Sequence, residues 1–145
     1  MLFGIAYSLR RILGQVNLFI FSVVADGAKA CVVTSARPGV FSAGLDIMSM
    51  YGRTDDELRE YWTHVQDMWL SLYMAPIPMI AAVNGAAPAG GCLMALSCDY
   101  RVMAQHPKFN IGLNETLLGI VAPTWVRFFQ LSSIDHSGCC SHFEF

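Results

Sequence analysis

Apolar residues recur at helical spacing through one long segment of the chain, residues 55–74. Thr54 and Glu57 form a capping box that predicts the start of a helix, and Pro76 predicts its end. The apolar positions that share one face are Leu58, Tyr61, Trp62, Val65, Met68, Trp69, Leu72 and Tyr73. We therefore predict one amphipathic helix whose aromatic stripe packs into the core.

Short apolar runs bounded by turn residues predict strands on both sides of this helix. The β-branched run 31–34 predicts a buried strand, and 79–83 predicts a second buried strand that stops at the turn pair 84–85. A further strand is predicted at 99–104, after a compact helix at 92–96. Strands that alternate with helices favour an α/β domain with helices packed on the sheet.

Composition narrows the classes of partner. Hydrophobic residues make up 54% of the chain and charged residues only 14%, against roughly 25% charged in an average soluble domain. We therefore expect much of the surface to be covered, by oligomer contacts or by further chain. The net charge is −2 and the basic residues are scattered, which argues against nucleic acid as a partner. The longest apolar stretch, 16–25, has about half the length that a membrane span needs.

Several kinds of reactive site lack their sequence signals. The four histidines are widely separated and the five cysteines have neither zinc spacing nor a disulfide framework, so we predict no metal and a reducing compartment. No Gly-Lys-Ser/Thr follows a glycine loop, which argues against nucleotide binding. No Gly-x-Ser-x-Gly elbow is present, and Cys92 is interpreted as a buried structural thiol.

Two glycine-bearing segments, 41–46 and 84–91, are each predicted to follow a strand and to lead into a helix. Amides at the start of a helix lack internal partners. Two such loops that face each other can direct two N–H donors at one oxygen, which is the geometry of an oxyanion hole. The alternative is that these glycines only make turns.

The same residues resemble the signature of the crotonase, or enoyl-CoA hydratase/isomerase, superfamily. The resemblance is carried by 41–46 together with Asn84-Gly85, Ala89-Gly90-Gly91-Cys92 and Cys98-Asp99-Tyr100-Arg101. It extends over about 31–125, and 37–46 and 111–115 look most like the isomerases of the superfamily.

The resemblance implies an α/β fold of the crotonase-like ββα-spiral type, with a core at 28–125 that is incomplete at both ends. Residues 1–27 are then an atypical N-terminal segment, either a leader or a partial strand, and the first 25 of them hold two arginines and no acid. Residues 126–145 are expected to be a divergent tail. The C-terminal helical region, which in this superfamily covers the site and builds a trimer, is expected to be missing.

The resemblance also implies roles for individual residues. The backbone amides of Leu45 and Gly90 would form the oxyanion hole, and Glu115 would be the catalytic carboxylate. The substrate-binding positions would be Ser42, Ala43, Gly44, Leu45, Asp46 and Asn114. The ligand would be an acyl-CoA thioester, in which coenzyme A is part of the substrate and no separate cofactor is needed.

One substitution bears on the reaction. Hydratases of the superfamily use two glutamates, and this chain has Leu93 at the first position and Glu115 at the second. One base can remove a proton and return it, so the pattern favours isomerisation over hydration. With this single base, the resemblance implies a Δ3,Δ2-enoyl-CoA isomerase of fatty-acid β-oxidation in the mitochondrial matrix. The alternatives are an inactive crotonase-fold fragment or subunit-interaction product, and another acyl-CoA activity on the same fold.

Overall fold

The computed structural model describes residues 22, 24–119, 121 and 123–126, and its regular elements include two α-helices and two small parallel sheets. The strands are β1 Cys31–Val33, β2 Gly39–Val40, β3 Met79–Val83, β4 Gly85–Pro88, β5 Tyr100–Met103 and β6 Ile111–Gly112. The α-helices are α1 Asp55–Tyr73 and α2 Gly90–Leu96. Two short 3-10 helices lie at Ile47–Ser49 and Glu115–Leu118.

The chain alternates between the two sheets. One sheet has the strand order β1-β3-β5 and the other has the order β2-β4-β6, and all the pairings are parallel. Each successive pair of strands therefore adds one strand to each sheet. Helix α1 follows the first pair, α2 follows the second, and a 3-10 helix follows the third. This repeated strand-strand-helix unit is the α/β spiral that the sequence predicted.

The predicted long helix is confirmed over Asp55–Tyr73. The Thr54 hydroxyl accepts a hydrogen bond from the Glu57 amide at 3.3 Å, and the Glu57 carboxylate accepts one from the Thr54 amide at 2.9 Å. These two bonds satisfy donors that a helix start leaves unpaired. The helix buries Val65, Met68 and Leu72.

The core lies between α1, α2 and the two sheets. Its larger cluster consists of Phe41, Val65, Met68, Leu72, Met79, Ala81, Val83, Ala87, Ala95 and Cys98. Tyr61 and Trp62 pack against this cluster, and Trp69 packs against a second one. The prediction that the aromatic stripe is core is thereby confirmed except at Tyr73, which is 56% exposed.

Two predictions about strands were wrong in part. The pair Asn84-Gly85 ends β3 as expected, but Gly85 begins β4 instead of making a turn. Asn84 provides the bend between the sheets, where its side-chain amide donates a 2.7 Å hydrogen bond to the Ser35 carbonyl. Strand β1 is also less buried than predicted, because Val32 is 58% exposed.

Candidate active site

Three segments leave the same edge of the β2-β4-β6 sheet. Val40 pairs with Ala86, and Pro88 pairs with Gly112, so the carboxyl ends of these parallel strands are adjacent. Segments that follow adjacent parallel strands meet at that edge, which is where α/β proteins commonly bind ligands. The segments are residues 41–46, 89–91 and 113–115. The structure thus brings together the two glycine loops and the segment that ends at Glu115.

The two glycine loops are in close contact. A methyl group built on Gly90 would lie 3.1 Å from the amide nitrogen of Leu45, and one built on Gly44 would lie 3.3 Å from the amide nitrogen of Gly90. Gly44 has φ +89°, a conformation that favours glycine. In the described part of the chain, neither the Leu45 amide nor the Gly90 amide donates a backbone hydrogen bond. Within the described residues, both amides therefore lack a backbone acceptor.

Ser42 holds the first glycine loop, residues 41–46, in place through two hydrogen bonds. Its amide donates to the Ala86 carbonyl at 3.3 Å, and its hydroxyl accepts a 3.3 Å hydrogen bond from the Gly44 amide. A methyl group on Gly91 would lie 2.7 Å from the Ser42 carbonyl oxygen, so only glycine permits this approach. Ser42 is 4% exposed, whereas Ala43 is exposed. The Ser42 side chain therefore supports the loop from inside.

Asp46 ends the loop and caps the 3-10 helix Ile47–Ser49. Its carboxylate accepts hydrogen bonds from the Met48 amide at 3.0 Å and from the Ser49 hydroxyl at 2.7 Å. The bond from the Ser49 hydroxyl is the main cause that lowers the pKa of Asp46 below its ordinary value. The carboxylate thus fixes the path of the chain directly after Leu45.

Replacing Asp46 with Asn is expected to lower stability slightly at neutral pH, because the charged cap is lost. The lowered pKa means that the carboxylate contributes stability above its unfolded pKa and loses it as the pH falls through the folded value. Urea unfolding of wild type and D46N at pH 7 and at about pH 2 tests this sign. The two proteins should converge in acid, and an equal difference at both pH values would contradict the prediction.

Glu115 stands at the start of the second 3-10 helix, directly after Asn114. Its side chain is partly buried, and within the described residues its Oε2 atom is shielded from solvent without a hydrogen-bond partner. An unpartnered buried carboxylate oxygen is costly to keep. Asn114 is exposed beside it.

The side chain of Leu93 packs in a buried hydrophobic cluster. It is 5% exposed and belongs to a buried cluster with Cys92, Leu96 and Val126. Partly buried hydrophobic residues packed against this cluster are Trp69, Ile111, Leu113 and Trp125. The position at which the family resemblance would place a hydratase's second carboxylate is therefore packed among hydrophobic side chains, and one of them, Leu113, lies two residues before Glu115.

Two residues near the site were missed by sequence reasoning. Ala89, directly before Gly90, has φ +51°, which is unusual for a residue with a side chain. Tyr61 buries its hydroxyl without a hydrogen-bond partner in the described residues. Burial raises the pKa of Tyr61 to about 12, and the nearby Asp46 carboxylate adds to the shift. Composition and spacing carried no signal for either, because both features depend on tertiary contacts.

Other kinds of site find no support in the residues that the structure describes. They contain no group of three or more His, Cys, Asp or Glu side chains arranged to hold a metal ion. No helix among them has both the length and the apolar character needed to cross a bilayer.

Comparison with known proteins identifies the family. Residues 21–139 match the enoyl-CoA hydratase/isomerase family. The chain belongs to this family. It is 56% identical over 108 residues to the mitochondrial enoyl-CoA delta isomerase 1 of Rattus norvegicus, a match that covers 74% of this chain and 37% of the relative. It is 42% identical over 99 residues to the fatty acid oxidation complex subunit alpha of Psychrobacter arcticus, covering 66% and 13%.

A solved enoyl-CoA isomerase confirms the fold. The crystal structure of human mitochondrial delta3-delta2-enoyl-CoA isomerase superposes with a TM-score of 0.81 at 45% identity. The match covers 86% of this chain and 48% of that structure. The crotonase-type α/β fold predicted from the sequence is therefore confirmed, and the chain spans less than half the length of these relatives.

Proposed function

We propose that this chain carries the chemistry of a Δ3,Δ2-enoyl-CoA isomerase of fatty-acid oxidation. One observation carries the proposal. At the edge where the amides of Leu45 and Gly90 approach each other, Glu115 supplies a carboxylate whose Oε2 atom is buried and has no hydrogen-bond partner among the described residues. The names of the similar proteins, enoyl-CoA delta isomerases from mammalian mitochondria, support the same reaction.

The proposed reaction moves a double bond by transferring one proton. The carbonyl oxygen of a 3-enoyl thioester accepts hydrogen bonds from the amides of Leu45 and Gly90. The Glu115 carboxylate removes a proton from C2, and the electron pair of that C–H bond enters a dienolate whose negative charge rests on the thioester oxygen. Glu115 then returns the proton to C4, which leaves a 2-enoyl thioester. Each well-directed amide donor stabilises such a charge by about 3 to 4 kcal/mol in other enzymes.

The environment of Leu93 supports isomerisation over hydration. Adding water across a double bond requires a group that holds and deprotonates the water as well as a group that protonates carbon. Leu93 sits in packed hydrocarbon and offers neither a base nor a hydrogen-bond acceptor for water. Glu115 alone is sufficient for a proton transfer within one molecule.

The proposed ligand is an acyl-CoA thioester bound along the loop 42–46 and beside Asn114. Its coenzyme A moiety is part of the substrate, and the proposed steps require neither a metal nor a separate cofactor. The mammalian relatives are named as mitochondrial proteins, and we propose the mitochondrial matrix as the location.

Incubation of the purified chain with a 3-enoyl-CoA thioester tests the proposal. The conjugated 2-enoyl product absorbs in the ultraviolet, so its formation measures isomerisation directly. Water addition to a 2-enoyl-CoA is measured in parallel as loss of that absorbance. We expect isomerisation with little hydration. A folded chain that binds acyl-CoA without turning it over would favour the alternative of an inactive crotonase-fold protein.

Introducing a second carboxylate provides a prediction for the Leu93 position. L93E is expected to destabilise the fold by roughly 2 kcal/mol or more, because it buries a polar group among apolar neighbours. In the fraction that folds, water addition to a 2-enoyl-CoA should rise above the wild-type level. L93Q is the matched control, since it has nearly the same shape but no base. Equal hydration by L93E and L93Q would contradict the role assigned to this position.

A further inference from the structure

Ala89 has an unusual backbone conformation at the centre of the candidate site. Its φ is +51° and its ψ is −120°. Among the described residues it is the one non-glycine residue with positive φ. A side chain makes this conformation unfavourable, so it persists only where the surroundings hold it in place.

Three contacts hold Ala89, and they come from strand β6, from helix α2 and from the loop that contains Gly44. Its amide donates a 2.8 Å hydrogen bond to the carbonyl of Gly112 in β6, the strand that leads to Glu115. Its carbonyl accepts a 3.0 Å hydrogen bond from the Leu93 amide in α2. Its methyl carbon lies 3.3 Å from the position that a Cβ on Gly44 would occupy, so the methyl packs on the loop that carries Leu45.

These contacts fix the direction of the Gly90 N–H group. The carbonyl of Ala89 and the N–H of Gly90 belong to one planar trans peptide, in which they point in opposite directions. Because the Ala89 carbonyl is bound by the Leu93 amide on the α2 side, the Gly90 N–H points away from α2. The Leu45 amide lies on the loop that contacts Gly90.

We infer that Ala89 is a positioning residue whose constrained conformation and methyl contact with Gly44 hold the Gly90 amide toward a position shared with the Leu45 amide. Glycine in its place would adopt the same conformation, but it would also adopt many others. The loss of the methyl would also free the loop at Gly44. The geometric part of this inference, the orientation of the Gly90 amide, does not depend on the proposed function. The effect on reaction rate does rest on the proposed function.

Amide dynamics of the ligand-free chain test the geometric part. A89G is the informative variant, because glycine tolerates positive φ and should not prevent folding. In ¹⁵N relaxation, the order parameter of the Gly90 amide should fall from about 0.85, typical of rigid backbone, toward about 0.6. A89S keeps the β-carbon and should retain the rigid value. A86G, in the preceding strand β4, is the control for added glycine flexibility and should leave Gly90 rigid.

Steady-state kinetics test the consequence for catalysis. A89G should lower kcat by about 10-fold or more, because a misdirected donor no longer stabilises the developing charge. KM should change little, since the substrate contacts outside the carbonyl remain. The melting temperature should stay equal or rise as strain is relieved. If Ala89 only maintained the fold, A89G would lower the melting temperature and would not lower kcat while leaving KM unchanged.

The outcomes distinguish this inference from the proposed function. An unchanged Gly90 order parameter in A89G would overturn the inference, whatever the activity. A loosened Gly90 amide with unchanged kcat would also overturn it, because the position would then not matter to the reaction. A loosened Gly90 amide in a chain whose wild type has no isomerase activity would support the geometric inference and count against the proposed function alone.

Discussion

Replacing Glu115 with Gln is expected to lower the isomerisation kcat by about 10²- to 10⁴-fold, the range attributed to a positioned proton-transfer group. Gln keeps the size and planar shape of the side chain but does not accept a proton from carbon. Among the residues that the structure describes, the Oε2 atom is buried without a partner, and a neutral amide is less costly there than a charge. We therefore expect E115Q to be as stable as wild type or more stable, so that activity and stability change in opposite directions.

Binding and stability measurements separate this effect from a folding defect. The affinity for a saturated acyl-CoA, measured by calorimetry, should remain close to wild type, because the oxyanion donors at Leu45 and Gly90 are untouched. D67N is the matched control: it neutralises an exposed carboxylate on α1 and should leave both kcat and binding unchanged. Retention of wild-type turnover by E115Q would remove Glu115 from the mechanism.

Elements with strong local signals were predictable from the sequence. The helix Asp55–Tyr73 was predicted to within one residue, because a capping box, a long apolar periodicity and a pair of prolines all point to the same bounds. The strand Met79–Val83 was also predicted, since its five apolar residues are bounded by turn residues. In these segments local preference and tertiary packing agree.

The division of the strands into two sheets was not predictable. Strands β4 and β6 consist of Gly85–Pro88 and Ile111–Gly112, which are too short and too poor in β-branched residues to give a periodic signal. They exist because neighbouring strands pair with them. The interpretation of residues 84–85 as a turn was wrong for a related reason. A bend of the chain between two sheets and a turn between two strands of one sheet use the same residue types, so the sequence does not distinguish them.

The candidate site was predictable in its residue types but not in its arrangement. Glycines in both loops indicated close backbone approach, and the structure places Leu45 and Gly90 in contact. The buried position of Ser42 and the conformation of Ala89 depend on how β2, β4 and β6 align. Register of this kind is set by the partner strands, so it is absent from any local pattern.

Gly85 is the position where one added methyl group is expected to destabilise the fold most. A Cβ on Gly85 would clash with both the carbonyl carbon of Gly39 and the amide nitrogen of Val40. Both contacts are backbone atoms of β2, which is paired with β4, so no side-chain rotation relieves them. The two strands must separate, which also displaces the loop that carries Leu45.

We therefore expect G85A to lower the free energy of unfolding by about 3 kcal/mol or more, at or above the upper end of ordinary overpacking, and to lower kcat by at least about 100-fold through the displaced Leu45 amide. G39A is the matched control on the opposite strand. Its methyl would meet only the Phe109 ring at 3.9 Å, so its cost comes from positive φ alone, about 1 to 2 kcal/mol. Urea unfolding of both variants compares the two costs. A G85A protein no less stable than G39A would show that β2 and β4 are not held at the distance that this structure gives them.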